Sequence, residues 1–180
     1  TLSSSSAASD VYKRQALKDN GYAVMALLIG DGVTKTDVGS FVTEAPIQIA
    51  SFSALAQAVT AVNTKLSATL CAEEKKVTLA PTKPVRPVAG WPSTCGKADV
   101  AFVVDASTSI NTTSWNQQVK FLRSLMDSIN IGTEAVQYGV TVFASSAKTL
   151  LPISADASKF DALAMADSER ALSLIHISEP

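Results

Sequence analysis

Hydrophobic positions along this chain fall into short continuous runs separated by stripes of helical period, and that alternation sets the expected fold class. "YAVMALLIG" (residues 22–30) is an unbroken apolar run closed by a glycine, the pattern of a strand buried on both faces. Ahead of it, the residues from 16 onward read as a helix end that stops at "NGY", with Gly21 suited to a left-handed cap. "DGVTKTDVGSFV" predicts a turn and one short helix, and "PIQIAS" a brief second strand. From 52 to 70, Leu55, Val59, Val62 and Leu66 recur at three- and four-residue steps. This is an amphipathic helix with Ser51 or Ser53 as its cap.

Periodicity vanishes over residues 72–94, where "AEEKKVTLAPTKPVRPVAGWPST" carries four prolines and reads as a semi-extended linker. The spacing of Pro81, Pro84 and Pro87 also suits a polyproline ligand, although interdomain spacers share that look. After Cys95 a second pattern begins. "DVAFVV" is a buried strand, "STSINTTS" a polar loop capping a helix, and Trp115, Val119, Leu122, Leu125, Met126 and Ile129 share one face of that helix. "VQYGVTVF" and "KTLLPI", joined by "ASSA", predict a hairpin, and "ASKFDALAMADSERA" opens another helix.

Strand, helix and strand in this order predict an α/β fold: a Rossmann-like, mainly parallel sheet with helices on both faces, incomplete in each half of the chain. The expected organisation is a first domain part over 16–71, the linker over 72–94 and a second domain part over 95–171. Each half alone would expose an unpaired apolar strand edge. The first-half strands are therefore expected beside "AFVV", in one shared sheet.

Composition narrows the function classes. Of 180 residues, 47% are hydrophobic and 17% charged, which predicts a packed core. The formal charge of −1 gives no electrostatic case for nucleic acid or an anionic membrane. The longest apolar run is too short to span a bilayer.

The two ends need separate treatment. "DVYKRQ" (10–15), written as GAT GTG TAT AAG AGA CAG, has a reverse complement that translates as "LSLIHI" (172–177). Residues 1–15 and 172–180 therefore read as translated transposon-end sequencing adapters and are set aside from fold reasoning. The single histidine of the sequence, His176, lies in that tail, so a Ser-His-Asp or Cys-His arrangement has no base to use.

The chemistry concentrates in "AFVVDASTSI" (101–110), where an apolar run stops on an acid followed by alternate hydroxyls. In open α/β sheets, binding groups gather at the carboxyl ends of strands. Asp105, Ser107 and Ser109 are hard oxygen donors, with no thiol or imidazole beside them, which suits Mg2+ over zinc or copper. The same residues also suit a polar turn in which Asp105 and Ser107 cap backbone amides. A third reading makes Asp105 a phosphoryl nucleophile of the haloacid dehalogenase kind. That chemistry wants a second acid two residues on, where Ser107 stands.

Together, "ADVAFVVDASTSI", "SWNQQVKFLRSLM", "VQYGVTVFASS" and "KTLLPI" closely resemble the von Willebrand factor type A domain, especially the matrix and adhesion forms found in matrilins and collagen VI. "ALKDNGYAVMALLIGDGV" and "IQIASFSALAQAVTAVNTKL" resemble the closing strands and last helix of such a domain. The resemblance implies two tandem, truncated A-type domains. It implies that Asp105, Ser107 and Ser109 open a metal-ion-dependent adhesion site, completed in the family by a threonine and an aspartate on later loops; both are expected outside this sequence, which would then hold only part of the site.

It further implies a secreted, extracellular and non-enzymatic module that binds matrix or cell-surface proteins through Mg2+ or another divalent cation. A metal-independent structural spacer is the alternative. Cys71 and Cys95 flank the linker and are disulfide candidates: they can pair directly, or, as the resemblance implies, each can pair with a cysteine elsewhere in its own domain. "NTT" at Asn111 is an N-glycosylation acceptor pattern beside the expected metal loop.

Overall fold

The computed structural model describes residues 15–17, 19–39, 42–71 and 97–156. The linker expected over 72–94, Cys95, the helix expected after residue 156 and the two adapter-like ends lie largely or wholly outside them. The fold is α/β, as the alternation predicts. Two compact units divide after Leu55.

In the first unit the chain leaves a helical stretch at Gly21, whose φ of 76° is open to glycine at little cost. Tyr22 N–H donates to the Leu17 carbonyl across this turn, closing the helix end. Strand β1 (Leu27–Ile29) comes next, then a short helix α1 (Lys35–Val38) and strand β2 (Ile47–Ile49). Thr34 precedes α1 and donates both its N–H and its hydroxyl to Asp37 Oδ2, at 2.8 and 2.7 Å. Those bonds, the backbone one foremost, hold the Asp37 carboxyl below its ordinary range. β1 and β2 pair in parallel, Leu28 opposite Gln48, with Leu28 and Ile49 buried.

A single 3-10 turn (Phe52–Ala54) leads into helix α2 (Leu55–Cys71), which falls almost wholly in the second unit. Of its predicted stripe, Leu55 and Val62 are buried, while Val59 and Leu66 are partly exposed. Strand β3 (Ala98–Asp105), helix α3 (Thr112–Asp127), strand β4 (Val136–Phe143) and strand β5 (Ala147–Ser154) complete the described chain. The second sheet has the order β3-β4-β5, β3 parallel to β4 and β5 antiparallel to it. The predicted hairpin is β4–β5.

One expectation is corrected. The strands do not form one shared sheet: β1 and β2 make a two-stranded sheet and β3, β4 and β5 a three-stranded one. Leu27, Leu28 and Ile29 find their partners in Ile47, Gln48 and Ile49, so pairing is satisfied locally. On α3 the buried face holds Trp115, Gln118, Phe121, Leu122, Leu125 and Met126, with Val119 partly exposed at its margin. Gln118 and Phe121 take places that an apolar-only reading of the stripe left unassigned.

β4 is the structural centre. Val136, Tyr138, Val140 and Val142 are each at most 3% exposed, as expected of a strand hydrogen-bonded along both edges. Its middle is irregular, because the β4–β5 register shifts on either side of Val140. Gly139 stands in this stretch for a steric reason: a Cβ there would lie 3.0 Å from the Leu151 carbonyl oxygen and 3.1 Å from Ile153 N. Both are backbone atoms and cannot swing aside. A Gly139→Ala chain should lose about 1–3 kcal/mol, as overpacked cores do. Urea denaturation should show a lower midpoint at unchanged slope.

Candidate functional site

The site grows from the end of β3. The β3–β4 ladder runs from Ala98 opposite Val136 to Asp105 opposite Phe143. One further bond extends it, Ala106 N–H donating to the Phe143 carbonyl at 2.8 Å. Ala106 is fully buried where the chain turns out of the sheet. Beyond it the loop is short. Ile110 N–H donates to the Ser107 carbonyl at 2.9 Å, and the Ile110 side chain is buried and anchors the far side.

Helix α3 begins immediately afterwards. Asn111 is its cap, with Oδ1 accepting the Ser114 N–H at 2.9 Å. This bond satisfies one of the orphan donors of the first helical turn.

Within this frame the predicted oxygen donors come together. Ser107 Oγ and Ser109 Oγ are 3.0 Å apart. Asp105 Oδ1 accepts the Ser107 N–H at 2.8 Å, tethering the carboxylate to the same loop. Among the described residues, Asp105 Oδ2 accepts no hydrogen bond. Asp105 and Ser107 are partly exposed and Ser109 is exposed, so the cluster opens to solvent. The polar-turn reading is thus present too, in the bond from Ser107 N–H to the carboxylate, and the two readings coexist in one loop.

The donor set suits a hard divalent ion: one carboxylate and two hydroxyls, with no soft ligand. Among the described residues, no group of three or more His, Cys, Asp or Glu side chains could hold a metal. The cluster therefore brings a single charge and leaves most of a coordination shell to water or to groups from outside the loop.

Two features escaped the sequence reading. Gln118, on the buried face of α3 at 8% exposure, donates from Nε2 to the Asp105 carbonyl at 3.2 Å. Its signal was available, since it lies three residues after Trp115 and four before Leu122 on an otherwise apolar stripe. The burial of Ala106 had no sequence signal. Of the other candidates, Cys71 ends α2 and is disulfide-bonded. Asn111 is exposed beside the serines.

Residues 99–170 match the family model of the von Willebrand factor type A domain. The chain is 34% identical over 65 residues, 36% of its length, to Matrilin-1 of Bos taurus, and spans 12% of that protein. Among solved structures it is similar to proximal thread matrix protein 1 (PTMP1) from the mussel byssus, at 26% identity and a TM-score of 0.35, over 84% of this chain and 37% of that one. Another structure of that protein, with a zinc occupied MIDAS motif, has 26% identity and a TM-score of 0.33, with 84% and 36% covered. The chain thus spans well under half the length of each of these relatives.

The cap on α3 is separable from the oxygen cluster by mutation. Asn111→Ala should cost about 0.5–2 kcal/mol in thermal or chemical denaturation, whereas Asn111→Asp, which keeps the acceptor, should leave stability near that of the parent.

Proposed function

We propose that this chain is part of an extracellular protein-binding module of matrix or adhesion type, and that it grips a divalent cation, Mg2+ in the first instance, through Asp105, Ser107 and Ser109. The observation that carries this reading is the gathering of two serine hydroxyls, 3.0 Å apart, on the loop that also tethers the Asp105 carboxylate. The family match over 99–170 supports the same reading, since the resemblance assigns these positions to a metal-ion-dependent adhesion site. Asp105 would supply the charge and the serines neutral oxygens, and the bound ion would offer its remaining positions to an acidic side chain of a partner. The partners are matrix or cell-surface proteins. The disulfide at Cys71 fits an oxidising, extracellular setting.

The module is noncatalytic. Ser107 stands where a phosphotransferase would need its second acid, and a hydroxyl is far too weak an acid to replace a carboxyl in proton transfer. Residues 16–71 and 95–171 are parts of two neighbouring A-type domains joined by the 72–94 linker, which gives the chain a spacer role as well. That role becomes the whole function if no cation binds.

Calorimetric titration of the chain with Mg2+ and Mn2+ decides between the two. Binding is expected in the parent, with at least about a tenfold loss in Asp105→Ala, whose one charged ligand is gone. Equal heats from the parent and the Asp105→Ala chain would leave the spacer reading. Asn111 is further proposed as an N-glycan acceptor, since its side chain is exposed and its cap bond uses only Oδ1. Secretion from a eukaryotic cell should yield a chain whose mass falls on treatment with an N-glycosidase, and neither Asn111→Asp nor Thr113→Ala should show that fall.

A further inference from the structure

A glutamine within an apolar helix face needs a reason. Gln118 lies between Trp115 and Leu122 on the buried side of α3 and is itself only 8% exposed. Burying a primary amide is unfavourable unless it makes hydrogen bonds, and a methionine or leucine would fill this space without that cost. The bond that Gln118 makes is specific in its target. Its Nε2 donates to the carbonyl of Asp105, the last residue of β3 and the first of the oxygen cluster.

That carbonyl belongs to the same peptide group as the Ala106 N–H, and the N–H is held as well, donating to Phe143 on β4. One peptide plane is therefore pinned at both ends, its oxygen by a helix side chain and its hydrogen by a neighbouring strand. A planar group held at two opposite points cannot rotate about the chain axis. Its orientation fixes the directions in which the chain leaves the Asp105 Cα on one side and the Ala106 Cα on the other. On one side stands the carboxylate. On the other, one residue later, is the Ser107 N–H that the carboxylate accepts at 2.8 Å.

We propose that Gln118 is a positioning residue: by fixing the peptide between Asp105 and Ala106 it holds the Asp105 carboxylate and the Ser107 amide in register, and so orients the oxygen cluster. This deepens the metal-binding reading and rests on it only for what the cluster finally holds. A merely structural glutamine would satisfy a buried carbonyl and contribute to global stability. A positioning glutamine acts on the loop and leaves the core alone.

Amide hydrogen exchange, measured residue by residue by NMR on the full chain, tells these apart. Gln118→Met keeps the length and apolar volume of the side chain and removes the donor. The expected result is exchange about tenfold faster at Ser107, with Val140 and Val142 on β4 changed less than about twofold. Unaltered exchange at Ser107 would overturn the proposal, and so would equal acceleration at all three sites, or a chain that no longer folds. Mg2+ titration of the same samples separates the two readings. A parent that binds no Mg2+, alongside a variant with selectively faster Ser107 exchange, removes the metal reading and keeps the positioning role. A parent that binds Mg2+, alongside a variant with parent-like Ser107 exchange, does the reverse.

Discussion

The peptide group between Asp105 and Ala106 is the constraint on which the site depends. Its N–H continues the parallel ladder to β4 and its carbonyl is taken up by Gln118 on α3. A strand end is ordinarily where backbone groups lose their partners and the chain gains freedom. Here the last peptide of β3 is held from two directions, and the buried methyl of Ala106 closes off a third. The loop then needs few bonds of its own. The Ser107–Ile110 backbone turn and the Asn111 cap carry it directly into the first turn of α3.

That arrangement requires β4 to be rigid, since β4 holds the outer end of the ladder. Its buried valines and Tyr138 supply the apolar area, and at about 25 cal/mol per Å2 such burial outweighs any single polar contact in the loop. Tyr138 also ties the far end of β5, its hydroxyl donating to the Asp156 carbonyl at 3.1 Å. The opposite face of this sheet is different. Val103, Phe143 and Ile153 stand 66, 40 and 44% exposed, among polar neighbours such as Thr141 and Thr149 whose hydroxyls pair at 3.3 Å. The buried side chains of β4 lie on the other face, and the oxygen cluster sits at the end of β3.

How legible this was varied by element. β4 matches "VQYGVTVF" residue for residue, because its buried apolar side chains, Val136, Tyr138, Val140 and Val142, recur at every second position, the period of a strand. The strand expected over "YAVMALLIG" shrinks to Leu27–Ile29, since a strand is as long as its ladder and the partner offers only Ile47–Ile49. Edge exposure gave a sound reason for pairing but could not name the partner, so the shared sheet did not form. On α3 the helical period located the stripe correctly. It left out Gln118 because hydropathy scores the amide as solvent-facing, while a hydrogen bond to a strand end keeps it inside. The acid and the hydroxyls were legible as a cluster because three positions at alternate spacing on a tight loop can hardly separate. The peptide that orients them was not, for backbone hydrogen bonds across distant segments leave no trace in composition.

The charge of the cluster points to what it would do with a cation. A single carboxylate neutralises half the charge of a divalent ion, and hydroxyls contribute dipoles without charge. An ion held by Asp105, Ser107 and Ser109 would thus keep a net positive character and open coordination positions on an exposed rim. Neither feature suits a structural ion, for which a folded chain would supply several acids and a closed shell. Both suit a bridge, in which an anionic oxygen from another molecule completes the neutralisation, and the strength of the union depends on ion and partner together. The solvent exposure of Ser109 belongs to the same logic, because a partner's carboxylate can reach an ion only from the side the protein leaves uncovered.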